Sequence, residues 1–165
     1  AACRTYVSFF RGTPLLVQLT LVFYALPAVG VSLPPLVAAV VALTLNTAAF
    51  QGEILRAGFR MLPHGQLEAA RDLGFTRWQM LVHIQVPQVF RAMLPALTNE
   101  TIDIIKNSAL VSAVAVTELM RTTQIFASTT YRPIEFFVAA GLLYLVLTMS
   151  TARAGALLER RLRAA

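Results

Sequence analysis
The sequence predicts an all-α polytopic membrane protein, with about four transmembrane helices and short cytoplasmic helices between them. Three observations carry that prediction. Apolar residues make up 57 % of the 165 residues and charged residues 13 %, against about 45–50 % and about 25 % in soluble domains. No charged residue occurs between Gly12 and Gly52. A polar island, Glu68 to Pro87, then interrupts the apolar runs. Lipid is therefore the main solvent.

The net charge of +6 raises nucleic acid as a partner, but no basic groove interleaved with aromatic residues accompanies it. In a membrane protein, excess Lys and Arg collects on the cytoplasmic side. A single cysteine, Cys3, excludes an internal disulfide and a cysteine-based metal site. His64 and His83 have no acid or cysteine at metal-ligand spacing, so no metal is expected. No signal peptide is visible. Ser112 lacks the setting of a nucleophile, and no glycine-rich phosphate loop occurs, so the chain is expected neither to be an enzyme nor to bind ATP.

Taken in order, Cys3 to Gly12 is a short stretch with Arg4 and Arg11 and no acid. The uncharged region that follows has room for two spans of about 20 residues. Breaks at Pro27, Gly30 and Pro34-Pro35 divide it into a span near Pro14 to Leu26 and a second near Leu36 to Gln51. Gln18, Asn46 and Gln51 give each helix a face that meets protein rather than lipid. Glu53 and Arg56 then stand three apart and can pair. Pro63 and Gly65 punctuate the chain before a short helix, Gln66 to Leu73, which Gly74 can end. Thr76 has the spacing of a capping box with Gln79. The helix it opens is expected to stop near Pro87.

The next crossing, Val86 to Ile105, is long enough but carries Arg91, Glu100 and Asp103. Parity supports it. Arg56, Arg60, Arg71 and Arg77 mark one cytoplasmic loop, and Arg160, Arg161 and Arg163 mark a cytoplasmic C-terminus. The uncharged run Phe136 to Ala152 is a clear span between them. Both basic groups share a side only if the chain also crosses between Pro87 and Lys106. Eleven Lys and Arg then lie inside and three, Lys106, Arg121 and Arg132, outside, as the positive-inside rule requires. Within the outer segment, Ala109 to Val116 is apolar but too short to span, and reads as a buried or re-entrant turn.

Glu100, Asp103 and Lys106 recur every third residue and share a helix face. Ionisable groups at membrane depth face a cavity or one another. Carboxylates could take the ammonium or a cationic side chain of an amino acid, and Lys106 its carboxylate. Asn99, Asn107 and Ser108 could add hydrogen bonds. The alternative is that Asp103 and Lys106 only neutralise each other.

Several motifs together resemble one family. Glu68-Ala69-Ala70, Gly74, then nine residues, Ile84, one residue, and Val86-Pro87 resemble the EAA loop of ABC importer permeases, with Val86 where Leu is usual. Phe9-Phe10-Arg11-Gly12-Thr13-Pro14-Leu15-Leu16-Val17-Gln18 is similar to the opening of the polar amino acid permeases, the histidine/glutamate/glutamine group. So are Glu53-Ile54-Leu55-Arg56, Leu97-Thr98-Asn99-Glu100, Lys106-Asn107-Ser108-Ala109-Leu110-Val111-Ser112 and Thr117-Glu118-Leu119. The likeness is colinear over nearly the whole chain. Such permeases usually have a further transmembrane helix before the Phe-Arg-Gly-Thr-Pro segment, so the sequence is read as N-terminally truncated.

The resemblance implies a permease domain over 1–165, with a cytoplasmic EAA coupling loop at 61–87. It implies an ATPase docking surface of Glu68, Ala69, Ala70, Arg71 and Gly74. Small Ala69 and Ala70 would let another surface approach, Glu68 would meet a basic group, and Gly74 would permit the reversal. The alternative for Glu68 is a solvated pair with Arg71. Glu100 and Lys106 match positions near the substrate site of some relatives. The implied partners are two ABC ATPase subunits, a second permease (the same chain or a sister), an extracytoplasmic amino-acid-binding protein and membrane lipid. Mg-ATP would sit on the ATPase, and the chain would lie in a prokaryotic inner membrane. The rival classes are a scaffold or channel-like subunit without ATP coupling, which does not explain the EAA spacing, and an intramembrane hydrolase, for which no nucleophile and base pair is present.

Overall fold
The computed structural model describes residues 2–164 of the chain, without the side chains of 163 and 164. Arg163, expected in the basic C-terminal tail, thus falls outside the described side chains. Every regular element among the described residues is helical. The order is α1 (Ala2–Gly12), α2 (Leu15–Thr20), α3 (Pro35–Arg60), α4 (His64–Asp72), α5 (Arg77–Gln79), α6 (Val86–Asn107), α7 (Leu119–Thr130) and α8 (Pro133–Ala164).

Prolines open half of these helices. Pro14, Pro34 and Pro63 occupy the N-cap positions of α2, α3 and α4, and Pro35 and Pro133 are the first residues of α3 and α8. The missing N–H costs nothing there, because the first turn has no intrahelical acceptor for it. Three other prolines lie inside continuous helical backbone: Pro95 sits within α6 itself, and Pro27 and Pro87 are each preceded by a widened turn. A π-helical segment, Leu21–Ala25, precedes Pro27, and another, Met80–Gln85, precedes Pro87. The wider turn opens the hydrogen-bond ladder where the proline ring crowds the carbonyl four residues back.

This changes the expected end of the helix that begins at Thr76. It does not stop near Pro87. Residues 77–107 form one unbroken helical run that passes through both Pro87 and Pro95, with a π turn before the first of them. The span expected over Leu36 to Gln51 is also longer, since α3 continues through Glu53 and Arg56 to Arg60. Two helices were not expected: α1 covers the short stretch before Thr13, and α7 is the second. α7 lies in the segment read only as a turn and outer loop. It is capped by Glu118, whose carboxylate accepts the N–H groups of Met120 at 2.7 Å and Arg121 at 2.6 Å.

The apolar turn itself is as expected. Ser108–Val114 forms a 3-10 helix that buries Val111, Ser112 and Val114. Val111 and Val114 join Leu19, Ala39 and Ala42 in the core, with Val22, Phe23, Leu43 and Val116 around them. Alanines on α3 let the neighbouring backbone approach, as small residues do between membrane helices. Gly58 serves the same end farther along. A Cβ there would stand 2.5 Å from Met93 Cγ and 2.7 Å from Val89 Cγ1.

Two helices, α3 and α8, are long and apolar enough to cross a membrane, and α1 with Leu15–Val29 makes a third candidate bent by 109°. α6 is not apolar enough by that measure, yet its 22 residues reach about 33 Å, roughly one hydrocarbon core. α8 leaves Leu142, Leu143, Leu145, Val146, Leu147 and Met149 exposed, the pattern of a helix whose solvent is lipid. α6 runs antiparallel to it. Gly155 packs on Thr98, and Pro95 and Glu159 line one cleft. The end of α8 therefore lies at the same end of the molecule as α4 and α5, as parity demands.

Candidate functional site
Two features stand out at opposite ends of the helical run over residues 77–107. The first is the turn between α4 and α5. The Gly74 N–H donates to Arg71 O at 2.9 Å, and the Phe75 N–H donates to Ala70 O at 3.0 Å. This is the Schellman arrangement, which satisfies the last carbonyls of α4. It needs a left-handed residue, and Gly74 has φ +82°. Two residues on, Thr76 and Gln79 form the full capping box that the spacing predicts.

The turn is open to its surroundings. Glu68, Ala69, Arg71 and Gly74 are all exposed. Leu73 is 78 % exposed and Trp78 71 %. Ala70 departs from the expectation. It is only 5 % exposed, and its carbonyl accepts the Phe75 N–H. Sequence reading passed over Leu73. Its signal was a leucine at the exposed helix end, directly before the glycine cap.

The second feature is a cleft of about 520 Å³. α6 supplies Glu100, Asp103, Lys106 and Asn107 to it, and α3 supplies Asn46 and Phe50. Thr13, Pro14, Leu15 and Leu16, from the bend between α1 and α2, close one side. Four of the six expected substrate residues thus meet. Two do not. Asn99 turns to the other face of α6 and lines a separate cleft with Ala152 and Gly155. The Ser108 hydroxyl donates to Ile105 O at 2.7 Å and lies on the side of Tyr144. The position of Asn99 follows from helix geometry, since a step of one residue from Glu100 turns the side chain by about 100°.

Within the cleft, Lys106 Nζ and Asp103 Oδ1 are 2.6 Å apart, so the internal pair considered from the sequence does form. Both side chains remain more than half exposed, and the pair is open to exchange with a ligand. Among the described residues no ion pair is made by Glu100. The cleft therefore offers one uncommitted carboxylate beside a neutral pair. Glu100 lies about 21 Å along α6 from Val86.

A buried amide clamp shapes the opposite wall. Gln18, 2 % exposed, donates through Nε2 to Phe10 O at 2.9 Å, Thr13 O at 3.0 Å and Thr13 Oγ1 at 2.8 Å. Its Oε1 accepts Asn46 Nδ2 at 2.9 Å, and the same amide reaches Phe10 O at 3.2 Å. Carbonyls freed where Gly12 and Pro14 break the helix thus find donors, and the bend is tied to α3. The sequence marked Gln18 and Asn46 as protein-facing, but the job they share was not legible from it.

The family described as binding-protein-dependent transport system inner membrane component matches residues 1–164. The chain is 40 % identical over 159 residues to the arginine transport system permease protein ArtQ of Bacillus subtilis, covering 96 % of this chain and 73 % of ArtQ. It is 39 % identical to the L-cystine transport system permease protein TcyB of the same organism, covering 95 % of this chain and 68 % of TcyB. Among solved structures it is similar to a crystal structure of an amino acid ABC transporter with histidines, with a TM-score of 0.88 and 40 % identity, over 96 % of this chain and 74 % of that one. The MetNI methionine ABC transporter, in inward-facing conformations, is more distant, with a TM-score of 0.79 and 25 % identity over 96 % of this chain and 73 % of that one.

Proposed function
We propose that this chain, which belongs to the binding-protein-dependent transport system inner membrane component family, is the membrane-spanning subunit of an ATP-driven importer of polar amino acids. The observation that carries the reading is the unbroken helix over residues 77–107, which joins the exposed α4–α5 turn to the charged cleft. A rigid helix transmits a displacement from one end to the other. An ATPase seated on Glu68, Ala69, Arg71 and the Gly74 turn would move Trp78, and with it Glu100 and Lys106. Mg-ATP is bound and hydrolysed on that partner, of which two copies serve a pair of permeases. The second permease is a copy of this chain or a sister. An extracytoplasmic binding protein delivers the amino acid, and alternating access carries it inward.

In the cleft, Glu100 takes the ammonium group of the substrate or a cationic side chain. Lys106 exchanges Asp103 for the substrate carboxylate, and Asn107 contributes hydrogen bonds. The exchange costs little, because a half-exposed pair is worth about 0–1 kcal/mol. Relatives at similar identity are named for arginine, octopine, L-cystine and glutamine, so overall identity does not select one amino acid.

Co-purification tests the reading. The complete permease should isolate with an ATPase whose hydrolysis rises several-fold with a loaded binding protein. Isolation without any ATPase would refute it and favour a scaffold or channel-like subunit.

A further inference from the structure
We propose that the junction of α1 with the end of α3 binds the phosphate of an anionic phospholipid headgroup. Arg4, Ser8 and Arg11 lie on one face of α1, and Glu53, Arg56 and Arg60 on one face of α3. The two faces meet across a cleft of about 450 Å³. Four guanidinium groups there oppose one carboxylate, which leaves an excess of three positive charges.

Two of the arginines are held in place. Glu53 Oε1 lies 3.2 Å from Arg56 Nε, and Glu53 Oε2 lies 3.7 Å from Arg11 Nη1. The Arg11 guanidinium also sits 5.5 Å from the centre of the Phe50 ring. A guanidinium has five donors, so this anchoring leaves most of the donors on Arg11 and Arg56 available. Among the described residues neither Arg4 nor Arg60 makes an ion pair. Like charges gathered this closely repel one another, and a phosphate oxygen reached by several guanidinium groups relieves that repulsion with charge-assisted hydrogen bonds.

The position favours a lipid over a free anion. The cleft lies where the uncharged stretch Gly12 to Gly52 gives way to charge, the level of the headgroups for a helix that crosses. Phe9, Leu55 and Phe59 are exposed along the same two helices and suit contact with acyl chains. Basic pockets of this kind between helices on the cytoplasmic side hold anionic headgroups. The proposal rests on the permease reading only for the side of the membrane.

The test uses the complete transporter, with the full permease chain and its ATPase, in mild detergent. Phosphatidylglycerol, phosphatidylcholine and inorganic phosphate are added separately, and bound species are read by native mass spectrometry. Phosphatidylglycerol should be retained over phosphatidylcholine. The double variant Arg4→Gln/Arg60→Gln should lower its occupancy by roughly ten-fold, and Arg4→Lys/Arg60→Lys should keep most of it. Equal retention by the Gln variant would overturn the proposal. So would inorganic phosphate competing as well as the lipid, which would make this a free-anion site. Lipid retained while the Gln variant sheds its ATPase would make it a protein-docking surface instead. A preparation that never contains an ATPase counts against the permease reading alone, because the lipid measurement still stands.

Discussion
Glu100 is the residue on which the substrate reading turns. It faces the cleft without a cationic partner, whereas Asp103 already has Lys106. Glu100→Gln keeps the shape and removes the charge, so a complete transporter carrying it should assemble normally and lose at least about ten-fold in uptake rate, the cost of one charge-assisted contact. Initial-rate uptake checks this, and unchanged kinetics would remove Glu100 from the site. Gln18 is a structural counterpart. Gln18→Leu would strip donors from Phe10 and Thr13 and an acceptor from Asn46. Buried polar groups left unpaired cost about 1–3 kcal/mol each, so thermal unfolding of the purified complex should shift down by several degrees. Gly74→Val forces a β-branched residue to φ +82°, about 1–2 kcal/mol unfavourable. Its expected effect is local, a loss of ATPase stimulation with assembly retained in part, and Gly74→Asn should be milder. At this scale the sequence was most readable where chemistry is local. Gly74 and the Thr76–Gln79 box were identifiable to the residue. The burial of Ala70 depends on which face of α4 is covered, and no local pattern specifies that.

At the scale of elements, the helix over residues 77–107 decides how the two candidate surfaces communicate. Proline is normally read as a helix end, because the residue before it avoids the α region. Val86 nonetheless has φ −57° and ψ −47°. The π turn over Met80–Gln85 relieves the crowding of the Pro87 ring on the carbonyl four residues back, and no short sequence pattern announces such a turn. α7 escaped notice for a different reason. Its sequence is rich in Thr and Ser and follows an outer turn, and its N-cap, Glu118, is not one of the residues that usually announce a helix start. The contact between α6 and α8 can be tested directly. A Cβ on Gly155 would run into the Thr98 side chain. Gly155→Val should therefore destabilise the complex by about 1–3 kcal/mol, and Thr98→Ala should recover much of that loss, which a double-mutant cycle in thermal stability measures. Additive losses would mean that the two helices do not meet there.

For the whole molecule, charge parity and helix packing agree on which ends lie together. Arg4, Arg11, Arg56 and Arg60 gather at one end of α3, and α8 returns to the same end beside α6. Tyr131, 90 % exposed, lies in the turn before α8 at the other end. On a background with Cys3 replaced by Ser, Tyr131→Cys should react with a membrane-impermeant maleimide in intact cells, and Leu73→Cys only after permeabilisation. Labelling of both from one side would break the topology. Two apolar spans were legible as uncharged stretches, whereas α6 needed parity because its charges serve a cleft rather than the lipid. The central claim is that ATP on a partner drives amino acids through that cleft. Its most direct test is uptake of labelled polar amino acids into proteoliposomes holding the complete transporter, with the binding protein outside and ATP inside. Accumulation against a gradient that requires ATP is the predicted result. Equal, merely equilibrating entry with and without ATP would contradict it.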